Sequence, residues 1–181
     1  MPERPKDDPA PWQVPVALED VADDGRRFDL VADAETRAAV ARIAGLRELP
    51  RLEANFQVMR HGSRGLRVSG RVSATVGQTC VVTLEPLTNE VAEEAALVFA
   101  PQIAAKGQAA ESAASWETFD GTEPLLDGRI DLGVLATEFL ILGLDPYPRK
   151  PDAVFRPPQA ATPDEGPFAA LAALKKDRPE G

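Results

Sequence analysis

Two long runs of alternating apolar and polar residues occupy the middle of the chain. Every second position is apolar or small from Leu52 to Val58 and again from Leu66 to Val76, and the segment HGSRG separates the two runs. A period of two places alternate side chains on opposite faces of a strand. Because the separating segment contains glycine, the pattern predicts a β-hairpin with one buried and one solvent-facing surface.

Shorter runs on both sides of this hairpin predict further strands. The candidates are VPVALEDV (14–21), RRFDLVAD (26–33), TCVVTLE (79–85) and VAEEAALVFAP (91–101). Turns are predicted at Asp23–Gly25 and at Pro86–Asn89. Gly77 is expected to mark a bulge or bend just before the third of these strands.

Two segments predict helices that cover the sheet. In residues 33–45, Asp33 is the candidate N-cap and Gly45 suits the left-handed position that follows many helices. In residues 130–144, Asp131 is the candidate N-cap, and Asp145 with Pro146 ends the segment. The predicted core face of this second helix is Leu132, Leu135, Phe139 and Leu142.

Together these elements predict an α+β fold, a curved and mainly antiparallel sheet of about six strands with two packed helices and disordered ends. Residues 12–151 form the predicted domain, because residues 1–11 are polar and rich in proline. Within the domain, residues 102–129 are acidic and without a clear period, which predicts a flexible insert. Residues 152–181 form a Pro/Ala-rich tail with a short predicted helix at 167–176.

The tail helix has an apolar face of its own. Phe168, Leu171 and Leu174 recur at a spacing of three, and Lys175 and Lys176 suit the negative end of the helix dipole. A helix of this length is marginally stable alone. It therefore either packs back on the domain or docks on a partner.

Charge narrows the choice of partner. The chain has 20 Lys and Arg against 29 Asp and Glu, a net charge of −9, which argues against general binding of DNA or membranes. The most apolar stretch, 132–144, is too short to span a bilayer and contains Glu138. With no apolar leader segment and a single cysteine, the expected compartment is the cytoplasm.

One region is locally basic. No Asp or Glu occurs between Ala54 and Leu84, and the hairpin prediction places the arginines of this region on its solvent-facing surface or at its tip. Guanidinium groups there could contact rRNA phosphates. They could equally pair with acidic residues elsewhere in the chain. The candidate RNA-contacting residues are Arg60, Arg64, Arg67 and Arg71.

Little in the sequence points to catalysis or to a cofactor. Cys80 would need a base beside it to act as a nucleophile, and the only histidine, His61, lies at the predicted hairpin tip. These two residues also fall short of a zinc site unless subunits share the metal. Glu93, Glu94 and the acids of 111–131 show no spacing that fixes a catalytic geometry. The pattern favours packing for Cys80 and assigns no catalytic, cofactor-binding or metal-binding residue.

The run LRVSGRVSATVGQTCVVTLEPL, followed after the insert by DGRIDLGVLATEFLILGLDPYPRKP, resembles the YceD family. Its members are also called large ribosomal RNA subunit accumulation proteins. The terminal PFAALAALKK is similar to the tail of the alphaproteobacterial branch, and the likeness covers roughly residues 12–176. Many relatives carry a Cys-x-x-Cys pair that could bind metal. Here Thr83 stands where the second cysteine would be, which implies that Cys80 packs without that partner.

The resemblance implies a cytoplasmic bacterial factor needed for accumulation or processing of 23S rRNA. The predicted function is therefore non-enzymatic help in biogenesis of the large subunit, through binding of 23S rRNA or a basic ribosomal protein on the pre-50S particle. Acidic composition favours the protein partner and the arginines favour rRNA. The alternatives are an adaptor that recruits a partner through Phe168, Leu171 and Leu174, and an rRNA-processing enzyme, which carboxylates converging in a pocket would indicate.

Overall fold

The computed structural model describes residues 10–101, 122–125 and 127–155. Within these ranges, short strands and a 3-10 turn precede a long three-stranded core and a final helix. The elements are β1 (Pro15–Ala17), a 3-10 turn (Leu18–Asp20), β2 (Arg26–Val31), α1 (Ala34–Ile43), β3 (Glu48–His61), β4 (Gly65–Thr79), β5 (Pro86–Ala100), β6 (Thr122–Pro124), β7 (Arg129–Asp131) and α2 (Leu132–Leu142).

The described elements form an open sheet with the order β2-β3-β4-β5-β6. Neighbouring strands are antiparallel except β5 and β6, which run parallel over three residue pairs. A separate two-stranded ribbon joins β1 to β7. With two α-helices in the same part of the chain, this arrangement confirms the predicted α+β class and its mainly antiparallel sheet.

The central hairpin is the predicted one. Phe56 lies opposite Gly70 and Val58 opposite Val68, and the apolar positions of both strands face the core. At Gly70 the strands approach so closely that a Cβ atom would collide with the carbonyl oxygen of Asn55. Only glycine fits there, which explains its place in an otherwise β-branched and apolar series.

The prediction for residues 79–89 was wrong in two respects. Residues 81–83 form a turn rather than a strand, and residues 86–89 begin β5 rather than a turn. Strand β4 runs on to Thr79, which pairs directly with Pro86. The chain reverses between them because Leu84 adopts a left-handed conformation with φ of 61°. Strand propensity of the segment CVVT is thus overridden by its tertiary context.

Both predicted helix caps are present. The Oδ1 atom of Asp33 accepts a hydrogen bond from the Thr36 N–H at 2.7 Å, and Gly45 has the predicted left-handed φ, 66°. At α2, the Oδ1 atom of Asp131 accepts from the N–H groups of Gly133 and Val134 at 2.9 and 3.1 Å. Both helices therefore begin where the sequence predicts.

The buried face of α2 is rotated from the predicted one. Leu132 and Leu135 are buried as expected, but Leu142 is 76% exposed and Leu140 is fully buried. The fully buried positions are Leu132, Ala136 and Leu140, which recur every four residues. The prediction for Leu142 was wrong: this last residue of the helix lines an open groove between α2 and the ends of β5 and β6 instead of packing in the core.

Several other predictions agree with the structure only in part or lie outside the described residues. The register shift in the hairpin lies in β3, between Glu48 and Arg51, opposite the predicted position at Gly77. Residues 122–124, near the end of the predicted insert, form β6. Residues 1–9, residues 102–121 of the insert, and the predicted tail helix with Phe168, Leu171 and Leu174 lie outside the described residues.

One hydrophobic core joins the dry face of the sheet to both helices. Its largest fully buried side chains include Phe56, Leu52, Leu66 and Leu132. Among the described elements, no helix packs on the opposite face of the sheet, and the side chains there are exposed or half-buried. In the described ranges, no helix combines the length and the apolar character needed to cross a membrane.

Candidate binding surface

The solvent-facing side of the sheet, here called the outer face, is the first candidate binding surface. Strand alternation sets its composition, because each residue next to a core residue points outward. Most of its side chains are short and polar or charged, so it presents no extended apolar patch. The outer face includes Arg27, Asp29, Val31, Arg51, Glu53, Asn55, Gln57, Met59, Arg67, Ser69, Arg71, Ser73, Thr75, Glu90, Ala92, Glu94, Ala96 and Val98.

Arginines and carboxylates are matched in pairs across the outer face. The Nη2 atom of Arg71 lies 2.9 Å from Oε1 of Glu94 on the neighbouring strand. Arg51 reaches Glu90 at 2.8 Å, and Thr75 donates a further hydrogen bond to the same carboxylate at 2.7 Å. Those bonds, from Thr75 first and then Arg51, lower the pKa of Glu90. The face is consequently close to electrically neutral.

Arg60 does not share the outer face with Arg67 and Arg71. It follows Val58 by two positions, so its side chain starts from the core side of the sheet. Its Nε atom donates to the carbonyl oxygen of Val21 at 2.7 Å and lies 3.4 Å from a carboxylate oxygen of Asp23. The side chain thus ties the segment after β1 to the hairpin.

The remaining two candidate arginines lie at the hairpin end of the sheet. Arg64 is exposed in the turn between β3 and β4, and Arg67 is exposed on the outer face opposite Met59. Neither makes an ion pair with another residue in the described part of the chain. Of the four predicted RNA contacts, these two are the ones that no carboxylate in the described part of the chain engages.

Cys80 lies at the other end of β4, far from His61. Its side chain is fully buried, in agreement with a packing role, in the turn that joins β4 to β5. The Thr83 N–H approaches its Sγ atom at 3.4 Å. Hydrogen bonding from Thr83 and from the Lys150 backbone outweighs burial and lowers the pKa of the thiol to about 6.

Among residues 10–101, 122–125 and 127–155, no three His, Cys, Asp or Glu side chains cluster in a way that could hold a metal ion.

A second candidate surface is a groove of about 400 Å³ between α2 and the ends of β5 and β6, here called the α2–β5 groove. Two carboxylates, Glu123 and Glu138, stand in this apolar setting. Partial burial, followed by the nearby charge of Glu123, raises the pKa of Glu138. The apolar lining includes Leu97, Phe99, Val134, Leu135, Phe139 and Leu142.

Sequence reasoning missed this groove and the ion pairs. The signal for the groove was Glu138, a charged residue inside the most apolar stretch of the chain. The signal for the pairs was the spacing of Glu90 and Glu94, which places both on one side of β5. Neither signal identifies its partners, because these depend on the pairing of strands and helices distant in sequence.

The geometry of the described residues defines a class of protein: an α+β protein with an open sheet, a charge-balanced sheet face and an apolar groove beside α2. The sequence profile of the family described as Large ribosomal RNA subunit accumulation protein YceD matches residues 68–175. Since this match spans more than half of the chain, the chain belongs to the YceD family, as the resemblance predicted. The match includes most of β4, the Cys80 turn, β5 and α2. No curated protein and no solved structure matches the chain.

Proposed function

We propose that this protein is a non-enzymatic factor in biogenesis of the large ribosomal subunit, and that it supports 23S rRNA accumulation by binding a basic ribosomal protein in the bacterial cytoplasm. The assignment to ribosome biogenesis is supported by the family to which the chain belongs, whose description is large ribosomal RNA subunit accumulation protein. The chemistry of the surface supports the kind of partner.

The pairing of Arg71 with Glu94 is the observation that carries the choice of a protein partner. Together with the Arg51–Glu90 pair, it leaves the outer face without surplus positive charge. A polyanion gains little from such a face, because each arginine would first have to leave its carboxylate. A Lys- and Arg-rich protein instead benefits from the net charge of −9.

Direct contact with rRNA is the second candidate, favoured by Arg64 and Arg67. These exposed guanidinium groups can each bind a phosphate in bidentate fashion. Two phosphate contacts give a weak and salt-sensitive interaction. In this proposal, a basic ribosomal protein supplies most of the affinity for the pre-50S particle, and the contact with rRNA orients the protein on it.

The alternatives of an enzyme and an adaptor have less support. An rRNA-processing enzyme would be indicated by carboxylates that converge in a pocket, and Glu123 and Glu138 are two carboxylates that line the same groove. Their groove is apolar and carries negative charge of its own, which suits an apolar or cationic ligand better than a phosphodiester.

An adaptor would act through residues 163–181. Deletion of that segment would then abolish function without lowering stability.

A two-arm binding experiment distinguishes the partners. The full-length protein is immobilised and exposed separately to total protein extracted from large subunits and to a 23S rRNA transcript, at about 50 and 200 mM salt, a range over which phosphate contacts weaken strongly. We expect specific retention of one or a few basic ribosomal proteins at both salt concentrations. Retention of rRNA alone would contradict the protein-binding proposal.

A further inference from the structure

The α2–β5 groove is lined by large apolar side chains that the described residues cover only in part. Leu142 is 76% exposed and lines the groove beside Phe139 and Phe99. Apolar patches with a polar rim mark sites where another segment binds. The groove therefore favours an occupant with several apolar side chains on one face.

The charges of the groove favour a cationic end on that occupant. Glu123 and Glu138 both line it, and neither forms an ion pair with a residue described in the structure. Arg129 and Asp131 also line the groove. The Oδ1 atom of Asp131 accepts hydrogen bonds from three backbone N–H groups. Two carboxylates beside an apolar surface complement lysines that follow an apolar stretch.

The tail of the same chain has this combination of side chains. Phe168, Leu171 and Leu174 share one face of the predicted helix, and Lys175 and Lys176 follow at once. Apolar anchors spaced in this way are typical of a helix that lies in a groove. Its combination of apolar side chains followed by lysines matches a groove lined by apolar side chains and by two carboxylates.

The length of the tail allows it to reach the groove. The described chain is fixed to the β4–β5 turn by the Lys150–Glu85 ion pair at 2.7 Å. Residues 151–167 then span up to about 55 Å when extended. Along β5, the distance from that turn to Leu97 at the groove is about 37 Å at the usual rise of a strand. The connecting segment is therefore long enough to reach the groove without being fully extended.

We propose that the tail segment 167–176 docks in the α2–β5 groove of its own chain, with Phe168, Leu171 and Leu174 against the apolar lining and with Lys175 and Lys176 beside Glu123 and Glu138. The inference is independent of the ribosomal role, because it concerns the isolated protein. A tail bound in this way is part of the folded unit rather than a free recruiting motif.

Zero-length cross-linking of the purified full-length protein tests the proposal. A carbodiimide joins a lysine amine to a carboxylate only when the two groups are in contact, and mass spectrometry locates the new amide bond. We expect bonds from Lys175 or Lys176 to Glu138 or Glu123. An equal mixture of unlabelled and ¹⁵N-labelled protein should yield cross-linked peptides in which both parts carry the same label.

Matched variants control for non-specific reaction. The double substitution Leu171→Glu with Leu174→Glu alters only the tail and should reduce the cross-link about tenfold or more, because burial of one leucine side chain is worth at least that factor. Leu142→Glu in the groove should act similarly. Ile141→Glu is its control, since Ile141 is 42% exposed and does not line the groove.

Three outcomes would overturn the proposal. The first is the absence of any tail-to-groove bond in the wild-type protein. The second is a yield that the tail variant leaves unchanged. The third is a cross-link that joins labelled to unlabelled peptides, which would make a second copy of the chain the occupant. None of these bears on the ribosomal role, which is tested with ribosomal components.

Discussion

Arg71 on β4 and Glu94 on β5 lie directly opposite each other, and their side chains form an ion pair of 2.9 Å across the exposed face of the sheet. The arginine belongs to the acid-free region of the sequence, and its partner lies outside that region. Strand pairing thus brings charge from a distant segment to neutralise the locally basic stretch. This relationship is the main reason for favouring a protein partner over RNA.

The Arg71–Glu94 pair should contribute little to stability. Both side chains are more than half exposed, so we expect a coupling free energy of about 0.2–1 kcal/mol, as for other exposed cross-strand pairs. A double-mutant cycle with Arg71→Ala and Glu94→Ala, measured by urea unfolding, checks this value. Coupling well above 2 kcal/mol would show that the pair is a structural clamp rather than a neutralising contact.

Asp131 should be more important for stability than Asp33, although both are helix N-caps. The Oδ1 atom of Asp131 accepts from Val14, a residue distant in sequence, at 2.8 Å as well as from two helix N–H groups, whereas the partners of Asp33, Thr36 and Glu35, both belong to the first turn of its own helix. We expect Asp131→Ala to cost about 2 kcal/mol and Asp33→Ala about 1 kcal/mol of unfolding free energy. Urea unfolding of the two variants checks the order, which equal losses would contradict.

The Cys80 thiol should make stability depend on pH between about 6 and 9. Hydrogen bonds from Thr83 and Lys150 lower its pKa from 9.0 to about 6 in the folded protein. In that interval the unfolded chain binds a proton that the folded chain has lost, so stability rises with pH. The contribution is complete above the unfolded pKa and is lost as pH falls through the folded value.

Comparison with Cys80→Ser isolates this contribution from other titrating groups. The difference in urea midpoint between wild type and variant should increase from pH 6 to pH 9, and ultraviolet thiolate absorbance of the native protein should have its midpoint near pH 6. A pH-independent difference, together with thiolate absorbance that develops only near pH 9, would show that burial keeps the thiol protonated.

Arg64 and Arg67 should account for whatever affinity the protein has for RNA. Arg64→Glu with Arg67→Glu removes the two exposed arginines at the hairpin end and should abolish retention of the 23S transcript without changing the thermal midpoint. The matched control is Arg42→Glu with Arg47→Glu, two exposed arginines elsewhere in the fold that also lack a described ion pair.

A wild-type level of RNA retention in the Arg64 and Arg67 variant at low salt would contradict this assignment. An equal loss in the control would attribute binding to overall charge rather than to a site. The further variant Arg67→Glu with Arg71→Glu should lose RNA retention through Arg67, since Arg71 is engaged by Glu94.

The fold could be predicted from the sequence wherever a local rule was sufficient. The hairpin follows from apolar alternation between Leu52 and Val76, and both helix starts follow from an aspartate cap at Asp33 or Asp131. The turn at Cys80 could not be predicted in this way. It exists because β4 continues to Thr79 and pairs with the start of β5, a long-range arrangement that the propensity of CVVT opposes.

The candidate surface was less predictable than the fold. Strand parity alone would have separated Arg60 from Arg67, because Arg60 continues the apolar series that ends at Val58. Neutralisation of Arg71 was not accessible, since it requires the β4–β5 register. The same limit applies to the groove, which forms only when α2 meets the ends of β5 and β6.

The role in ribosome biogenesis is tested most directly by sedimentation of ribosomes from cells that lack this gene, with mapping of the ends of 23S rRNA. We predict a deficit of large subunits and an accumulation of unprocessed 23S precursors, both restored by the wild-type gene. A normal ratio of subunits with mature 23S ends would contradict the proposed function.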